Sequence, residues 1–408
     1  MKRIMIELTC YLFSVFIASN QLYASTCKLA RLDVKSPSLT LIANSLTDVI
    51  TLTNKSTCVT AANVRAKLPN SWLDVTQDAS DCVYLAPGQS CELRFRPGQT
   101  DYLEKPIQIR GSNTKTVTVQ AAVKRLFIYI ANANVPNNHL GKITRCQIGS
   151  NGILNQCKNS RLGREGFFDI VIHPTGKWAY ISEFYSGGVY KCGLTRAGTL
   201  RDCGVILNNR PDHSPPSGIT LNAVGTLAYL AYWDHITTCQ IKADGHLSPC
   251  RNSSFIKGSP REVILNSTET NAYISLHDLN AIFKCGIDAN GVVHNCSEAV
   301  NGLAFAPLSI TLNRAGSLAY LINELKNSIS KCNIETNGNF SHCINLTSPT
   351  FYLPKYLAFH PIEPLAYITN SATNAISTCF VTTNGDLIDC KTNLANMDYP
   401  IGITLILL

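Results

Sequence analysis

Residues 216–250 read Pro216-Ser-Gly-Ile-Thr-Leu-Asn-Ala-Val-Gly-Thr-Leu-Ala-Tyr-Leu-Ala-Tyr-Trp-Asp-His-Ile-Thr-Thr-Cys239-Gln-Ile-Lys-Ala-Asp-Gly-His-Leu-Ser-Pro-Cys250. Short β-branched and aromatic runs alternate here with Gly and Asx turn residues, which predicts four strands. They are Gly218–Asn222 (a), Leu227–Ala231 (b), Ile236–Ile241 (c) and His246–Cys250 (d). Four short antiparallel strands in one unit make a propeller blade. The unit recurs, marked by cysteines eleven residues apart: Cys146/Cys157, Cys192/Cys203, Cys239/Cys250, Cys285/Cys296, Cys332/Cys343 and Cys379/Cys390. Their first members lie 46, 47, 46, 47 and 47 residues apart, a period that identifies a repeat architecture. No segment carries helical periodicity, which excludes helical solenoids.

The ends of the repeat region fix its closure. It starts at Lys124-Arg-Leu-Phe-Ile-Tyr-Ile-Ala-Asn132, a strand b with no strand a before it. It stops at Pro400-Ile-Gly-Ile-Thr-Leu-Ile-Leu-Leu408, a strand a with no strand b after it. The expectation is an all-β, six-bladed β-propeller over residues 125–408, its C-terminal strand completing the first blade and removing an unpaired edge.

Between the cysteines of each pair sits a dipeptide turn: Asn151-Gly152, Ala197-Gly198, Asp244-Gly245, Asn290-Gly291, Asn337-Gly338 or Asn384-Gly385. Such pairs predict two-residue hairpin loops. That register sets the two cysteines directly opposite, about 5.5 Å apart at Cα and within disulfide range. Apolar Ile148/Leu154, Ile241/Leu247 and Ile334/Phe340 want one shared face, however, and a two-residue loop separates them. A one-residue bulge would reunite them at the cost of offsetting the cysteines. Zinc and redox roles for the pairs are disfavoured, because no recurrent His accompanies them and no C-x-x-C occurs.

The motif P-x-G-I-T-L-N-x-x-G-T-x-A-Y-L of residues 216–230 resembles the YVTN/NHL/lactonase-type β-propeller repeats of bacterial surface and secreted proteins. The resemblance covers about residues 126–408. It implies a fold shared by hydrolases, lyases and pure binding proteins, so it does not choose among them.

Residues 1–25 read as a signal peptide: Lys2 and Arg3, an apolar stretch from Ile4 to Ala18, and a small-residue cleavage site after Ala24 or Ser25. No later segment is long and apolar enough to span a membrane. The expectation is an exported protein of the periplasm, cell surface or medium, where thiols pair. Cys10 departs with the leader, and sixteen cysteines remain. The chain carries 35 Lys and Arg against 27 Asp and Glu, a net +8 without a basic run, so nucleic acid is not an expected partner.

Residues 26–124 lack the period and read as seven short strands: Ser38–Ile42, Asp48–Thr53, Ala62–Leu68, Cys82–Leu85, Cys91–Arg96, Ile107–Arg110 and Lys115–Ala122. That count predicts a β-sandwich. The stretch from Cys82 to Phe95 resembles the C-x-x-L-x-P-G-x-S-C-x-L-x-F hairpin of bacterial Ig-like domains. The resemblance implies a turn at Pro87-Gly88 and a Cys82–Cys91 bridge, leaving Cys27 and Cys58 to pair by elimination.

Function must lie where the repeat breaks its own rule. The b–c loops of the second, third and fourth units read Glu183-Phe-Tyr-Ser, Tyr232-Trp-Asp-His235 and Leu276-His-Asp278. Glu183, Trp233, Asp234, His235, His277 and Asp278 are therefore candidate ligand-binding residues. His235 and His277 with Asp234 and Asp278 would ligate a cation or act as acid and base, or else the loops form a polar rim with an aromatic packed on its neighbour. At the heads of the a strands, Asp169, Arg261, Glu262 and Lys355 replace small or apolar residues, and would grip an anionic or sugar-like ligand or pair as salt bridges. His173 and His360 stand where other units carry Asn222, Asn266 and Asn313, as turn formers. The loop 208–216 is the most irregular connector. No G-x-S-x-G, phosphate loop or H-E-x-x-H occurs. The reading is a monomeric, non-catalytic binding protein without a cofactor, presenting the channel-mouth loops to a protein or glycan. A lactonase-like hydrolase or lyase, and a structural envelope or adhesin component, are the alternatives.

Overall fold

The computed structural model describes residues 28–45, 48–133, 141–162, 166–183, 187–207, 215–300, 306–394 and 397–408. The expected leader, Cys27 and most of the loop 208–216 lie outside them. The chain divides into two compact units, with the boundary between Arg125 and Leu126.

The first unit holds two four-stranded sheets and one two-stranded ribbon. One sheet joins Leu32–Val34, Asp48–Asn54, Ser90–Pro97 and Val75–Asp78. The other joins Ser38–Ile42, Val117–Lys124, Tyr102–Arg110 and Arg65–Lys67. Ser90–Pro97 buries every second residue, and Cys91, Leu93 and Phe95 enter a core shared with Leu41, Leu52, Ile107 and Val119. Two expected strands differ. Ala62–Leu68 is interrupted into Ala61–Ala62 and Arg65–Lys67 at left-handed Asn63. Cys82 ends a 3₁₀ turn, Ser80–Cys82, leaving only Tyr84–Leu85 extended. The Cys82–Cys91 bridge forms across it, with Cα atoms 5.4 Å apart.

The second unit is six four-stranded antiparallel sheets, numbered I to VI in chain order. Sheet I takes its strand a from the far end of the chain: Pro400–Leu407 pairs with Leu126–Asn132, which pairs in turn with Lys142–Ile148. The a strands of sheets II to VI are Phe167–Ile172, Ile219–Leu221, Pro260–Leu265, Pro307–Leu312 and Pro354–Phe359. Each packs beside the next, and Pro400–Leu407 lies between those of sheets VI and II. The b strands are almost wholly buried and carry one large tyrosine each: Tyr129, Tyr180, Tyr229, Tyr273, Tyr320 and Tyr367.

Those tyrosines join sheet to sheet. The hydroxyl of Tyr129 donates to the carbonyl of Gly198 in the c–d loop of sheet II, at 2.5 Å. Tyr180, Tyr273 and Tyr320 reach Gly245, Gly338 and Gly385 in the same way, and Tyr367 returns to Gly152 of sheet I. In sheet III Thr238 supplies the bond to Gly291 instead. Burial explains why these hydroxyls need partners, and it holds the phenols above their ordinary range, Tyr320 up to about 12.

The c–d hairpins in sheets II to VI are not two-residue loops. In sheet III the Lys242 amide donates to His246, and the Gly245 amide donates to Lys242, at 2.9 and 2.8 Å. This is a three-residue loop, a type I turn closed by one left-handed glycine, and the same bonds recur in sheets II, IV, V and VI. A bulge then follows. Ile148 opposes Leu154, Ile241 opposes Leu247 and Ile334 opposes Phe340, so the apolar pairs do share a face.

The bulge corrects the cysteine register while leaving the pairing intact. Only in sheet III are the two cysteines, Cys239 and Cys250, ladder partners. Cys157, Cys203, Cys296, Cys343 and Cys390 were expected directly opposite their partners, and none of them is. The ladder jumps the bulge there: Arg145 opposes Lys158 and Gln147 opposes Asn155, so Gln156 and Cys157 together face Cys146. The offset does not part the sulfurs. In these five sheets the residue before the second cysteine is left-handed (Gln156, Asp202, Asn295, His342 and Asp389), which folds the strand back. The bridges Cys146–Cys157, Cys192–Cys203, Cys239–Cys250, Cys285–Cys296, Cys332–Cys343 and Cys379–Cys390 all form, with Cα atoms 4.0 Å apart, closer than the ideal register predicts. Each first cysteine is fully buried on strand c, whereas Cys157 is exposed and Cys203, Cys296, Cys343 and Cys390 are half-buried on strand d.

Candidate functional site

The ladders between strands a and b define one equivalent position in every sheet. It is the residue preceding the pairs Ile403/Ile130, Ile170/Ile181, Ile219/Leu230, Val263/Ile274, Ile310/Leu321 and Leu357/Ile368. From sheet I to sheet VI that position holds Gly402, Asp169, Gly218, Glu262, Ser309 and Tyr356. Large polar residues therefore occupy sheets II, IV and VI, and small ones occupy I, III and V.

The backbone is built to aim the large ones. The a–b register slips in every sheet but III, and in sheets II, IV and VI the amides of Asp169, Glu262 and Tyr356 turn from the ladder to a side chain. The Asp169 amide donates to Ser182 Oγ at 3.0 Å, the Glu262 amide to Ser275 Oγ at 3.0 Å, and the Tyr356 amide to Thr369 Oγ1 at 2.9 Å. Each hydroxyl donates onward to a carbonyl of the next a-strand segment, of Ser217, Leu308 or Ile401. Sheets I, III and V have Ala131, Ala231 and Ile322 at the hydroxyl's place. A bulge that re-aims a side chain is a recurrent device beside functional sites. The hydroxyl partners escaped the sequence reading, although the alternation A-Y-I-S, A-Y-I-S, A-Y-I-T against Y-I-A, Y-L-A, Y-L-I was visible in it.

The small members make room. A Cβ at Gly402 would stand 2.5 Å from Asp169 Oδ1, and one at Gly218 would stand 2.8 Å from the Arg261 carbonyl and 3.3 Å from Glu262 Oε1. Asp169 and Glu262 are each only 4% exposed and Tyr356 only 6%. Burial pushes Asp169 up to about 6, against the pull of the amides of Ile219 and Ile170 that its two oxygens accept. Burial also holds Glu262 well above the carboxylate range, and the nearby Asp169 adds to the effect. Glu262 Oε2 and the Tyr356 hydroxyl have no well-formed hydrogen bond.

A cavity of about 430 Å³ begins at these three side chains. It runs between the a strands to the a–b turns at Ala223, Asn266, Ser267 and Glu269, away from the loops that the sequence reading favoured. Those turns are shaped as expected: Asn222, Asn266 and Asn313 accept amides of their own turns, and His173 and His360 do so through Nδ1. Burial lowers His360 to about 4, so its ring is neutral.

The remaining candidates separate into two groups. Arg261 and Lys355 sit one residue ahead of Glu262 and Tyr356. The Arg261 guanidinium lies over the half-exposed Trp233 ring, 5.7 Å from its centre, and feels Asp278 and Glu324. Lys355 pairs with Glu324 and lies 5.2 Å from the centre of the Tyr399 ring. The other candidates are held locally. His235 is buried, stacked on Tyr232, and shares Nδ1 with Asp234 and Nε2 with Thr237. His277 bonds Asp278, which also accepts Ser259. Glu183 is buried at the end of its b strand, where its amide donates to the Gly188 carbonyl. None of Glu183, His235 and His277 lines the cavity with Asp169 and Glu262. Among the described residues no three His, Cys, Asp or Glu side chains gather as a metal site.

No protein-family model matches the chain, and no curated protein matches it in sequence. Solved structures do resemble it. A chain of a nidogen/laminin complex is 14% identical with a TM-score of 0.53, over 69% of this chain and 98% of that one. The periplasmic gluconolactonase of Pseudomonas aeruginosa is 14% identical with a TM-score of 0.50, over 69% and 85%. A putative 6-phosphogluconolactonase of Bacteroides uniformis is 14% identical at 0.50, over 74% and 95%. At such identity the likeness speaks for fold alone: the repeated four-stranded sheets are those of a β-propeller.

Proposed function

We propose that this chain is an exported binding protein in which a closed six-bladed propeller follows an Ig-like sandwich, and that it takes an acidic glycan at the channel mouth. The observation that carries the reading is a belt of two cation–ring pairs, Arg261 over Trp233 and Lys355 over Tyr399. A half-exposed tryptophan beside a guanidinium offers a stacking face for a sugar ring and a bidentate donor for its carboxylate. Seven described disulfides support an oxidising compartment. An array of neutral and acidic oligosaccharides tests the idea. Acidic sugars should be retained, and Trp233→Ala or Arg261→Ala should weaken retention at least tenfold. Retention of no sugar, or retention indifferent to both variants, sinks it.

A lactone hydrolase is the second reading, favoured by the paired carboxyls, whose raised pKa suits a general acid. Turnover of gluconolactone, lost in Glu262→Gln and kept in Trp233→Ala, would select it over the first.

A further inference from the structure

The cavity of the a strands is a second and separate place on the molecule. It shares no lining residue with the belt at the mouth, and its contents are one-sided. It holds Asp169 and Glu262 at its inner end and Glu269 at its outer turn, and no Lys, Arg or His lines it. Between the two ends the walls are aliphatic, with Val171, Ile264, Ile310 and Leu357 among them. Two polar groups that are nine-tenths buried, Glu262 Oε2 and the Tyr356 hydroxyl, line the cavity and feel each other there without a well-formed hydrogen bond. Buried polar groups in native proteins are almost always well satisfied, so a pair that misses good geometry beside open space leaves room there for a further donor. Its volume falls within the range of small-ligand pockets.

We propose that this cavity is a binding site for an organic ammonium ion on a short aliphatic chain, with a diamine as the fullest match. The ammonium donates to Glu262 Oε2 and the Tyr356 hydroxyl and faces the Asp169 carboxylate. The methylenes lie along the aliphatic walls, and a second ammonium meets Glu269. An ammonium with three donors satisfies acceptors that a neutral alcohol cannot hold ionised. The cations nearest in sequence do not compete, because Arg261 and Lys355 are engaged by Trp233 and by Glu324 and Tyr399. Binding of a cation also expels protons, because it draws Asp169 and Glu262 into their charged forms.

Titration calorimetry on the full, oxidised chain at pH 6.5 tests this with 1,4-diaminobutane, n-butylammonium, n-butanol, potassium and calcium chlorides. Diaminobutane should bind at one site, butylammonium more weakly, and butanol at least a hundredfold more weakly still. Repeating the titration in buffers of different ionisation enthalpy should show protons released on binding. Glu262→Gln should weaken both amines at least tenfold, Glu269→Gln should weaken only the diamine, and Trp233→Ala should change neither. This last arm separates the site from the proposed glycan surface, so each idea fails alone. If butanol matches butylammonium, if only an inorganic cation binds, or if no proton is released, the proposal is wrong. The wild-type comparisons decide it even where Glu262→Gln does not fold.

Discussion

A carboxyl group whose folded pKa is raised stabilises the fold at low pH and loses that contribution as pH climbs through the folded value. Glu262 is such a group, and Asp169, the nearby charge acting on it, shares the effect up to about 6. Glu262→Gln cannot ionise. The melting temperature of the variant minus that of wild type should therefore be larger at pH 8 than at pH 4, by roughly 2–4 °C for each kcal/mol relieved. An equal difference at both values would mean that Glu262 stays solvated. Both carboxyls were legible in the sequence as departures from the repeat. What was not legible is that a side chain can break the pattern for local reasons: His235 is a departure too, yet Asp234, Thr237 and Tyr232 absorb it entirely. The hydroxyls of Ser182, Ser275 and Thr369 were hidden for the opposite reason, since each looks like an ordinary strand residue.

The c–d hairpin combines two demands at one glycine. Gly385 has φ +80°, and a Cβ there would meet Tyr320 Oη at 2.5 Å. Gly385→Ala should thus cost about 1–3 kcal/mol, from left-handed backbone strain together with a lost sheet-to-sheet bond. Gly204 has an ordinary φ and nothing within 4 Å of its would-be Cβ, so Gly204→Ala should change stability by no more than about 0.5 kcal/mol. Denaturant midpoints for the two variants check the contrast, and equal midpoints would refute it. The pairing of the cysteines was readable from spacing. The loop length was not, because Asx-Gly serves two turn types and only Ala197-Gly198 hinted at the one that needs a single left-handed residue. The conflict between cysteine register and apolar faces was the better clue to the bulge, and the apolar faces won it: Cys157 and its four counterparts gave up the directly opposed position.

Across the whole molecule, the period alone announced six repeated units, and the split ends announced that Pro400–Leu407 would join the first. The structure adds the hydroxyl-to-glycine bonds that run from each sheet toward the next, from tyrosine in five sheets and from Thr238 in sheet III. Removing residues 400–408 deletes strand a of sheet I and exposes its neighbours in sheets II and VI. The truncated chain should lose cooperative unfolding of the second unit, seen as a broad or absent calorimetric transition, while a sharp transition near the wild-type temperature would contradict closure.

The same strand sets a timetable. Every described bridge joins cysteines at most eleven residues apart, so each can form while the chain is still emerging. The pairing of Leu126–Asn132 with Pro400–Leu407 must instead wait for all the residues between them. Loop-closure entropy makes so distant a contact slow to form. Leu126–Asn132 thus keeps one edge open from its own synthesis until residues 400–407 are made, and any cell producing this protein must keep that edge from finding a neighbour.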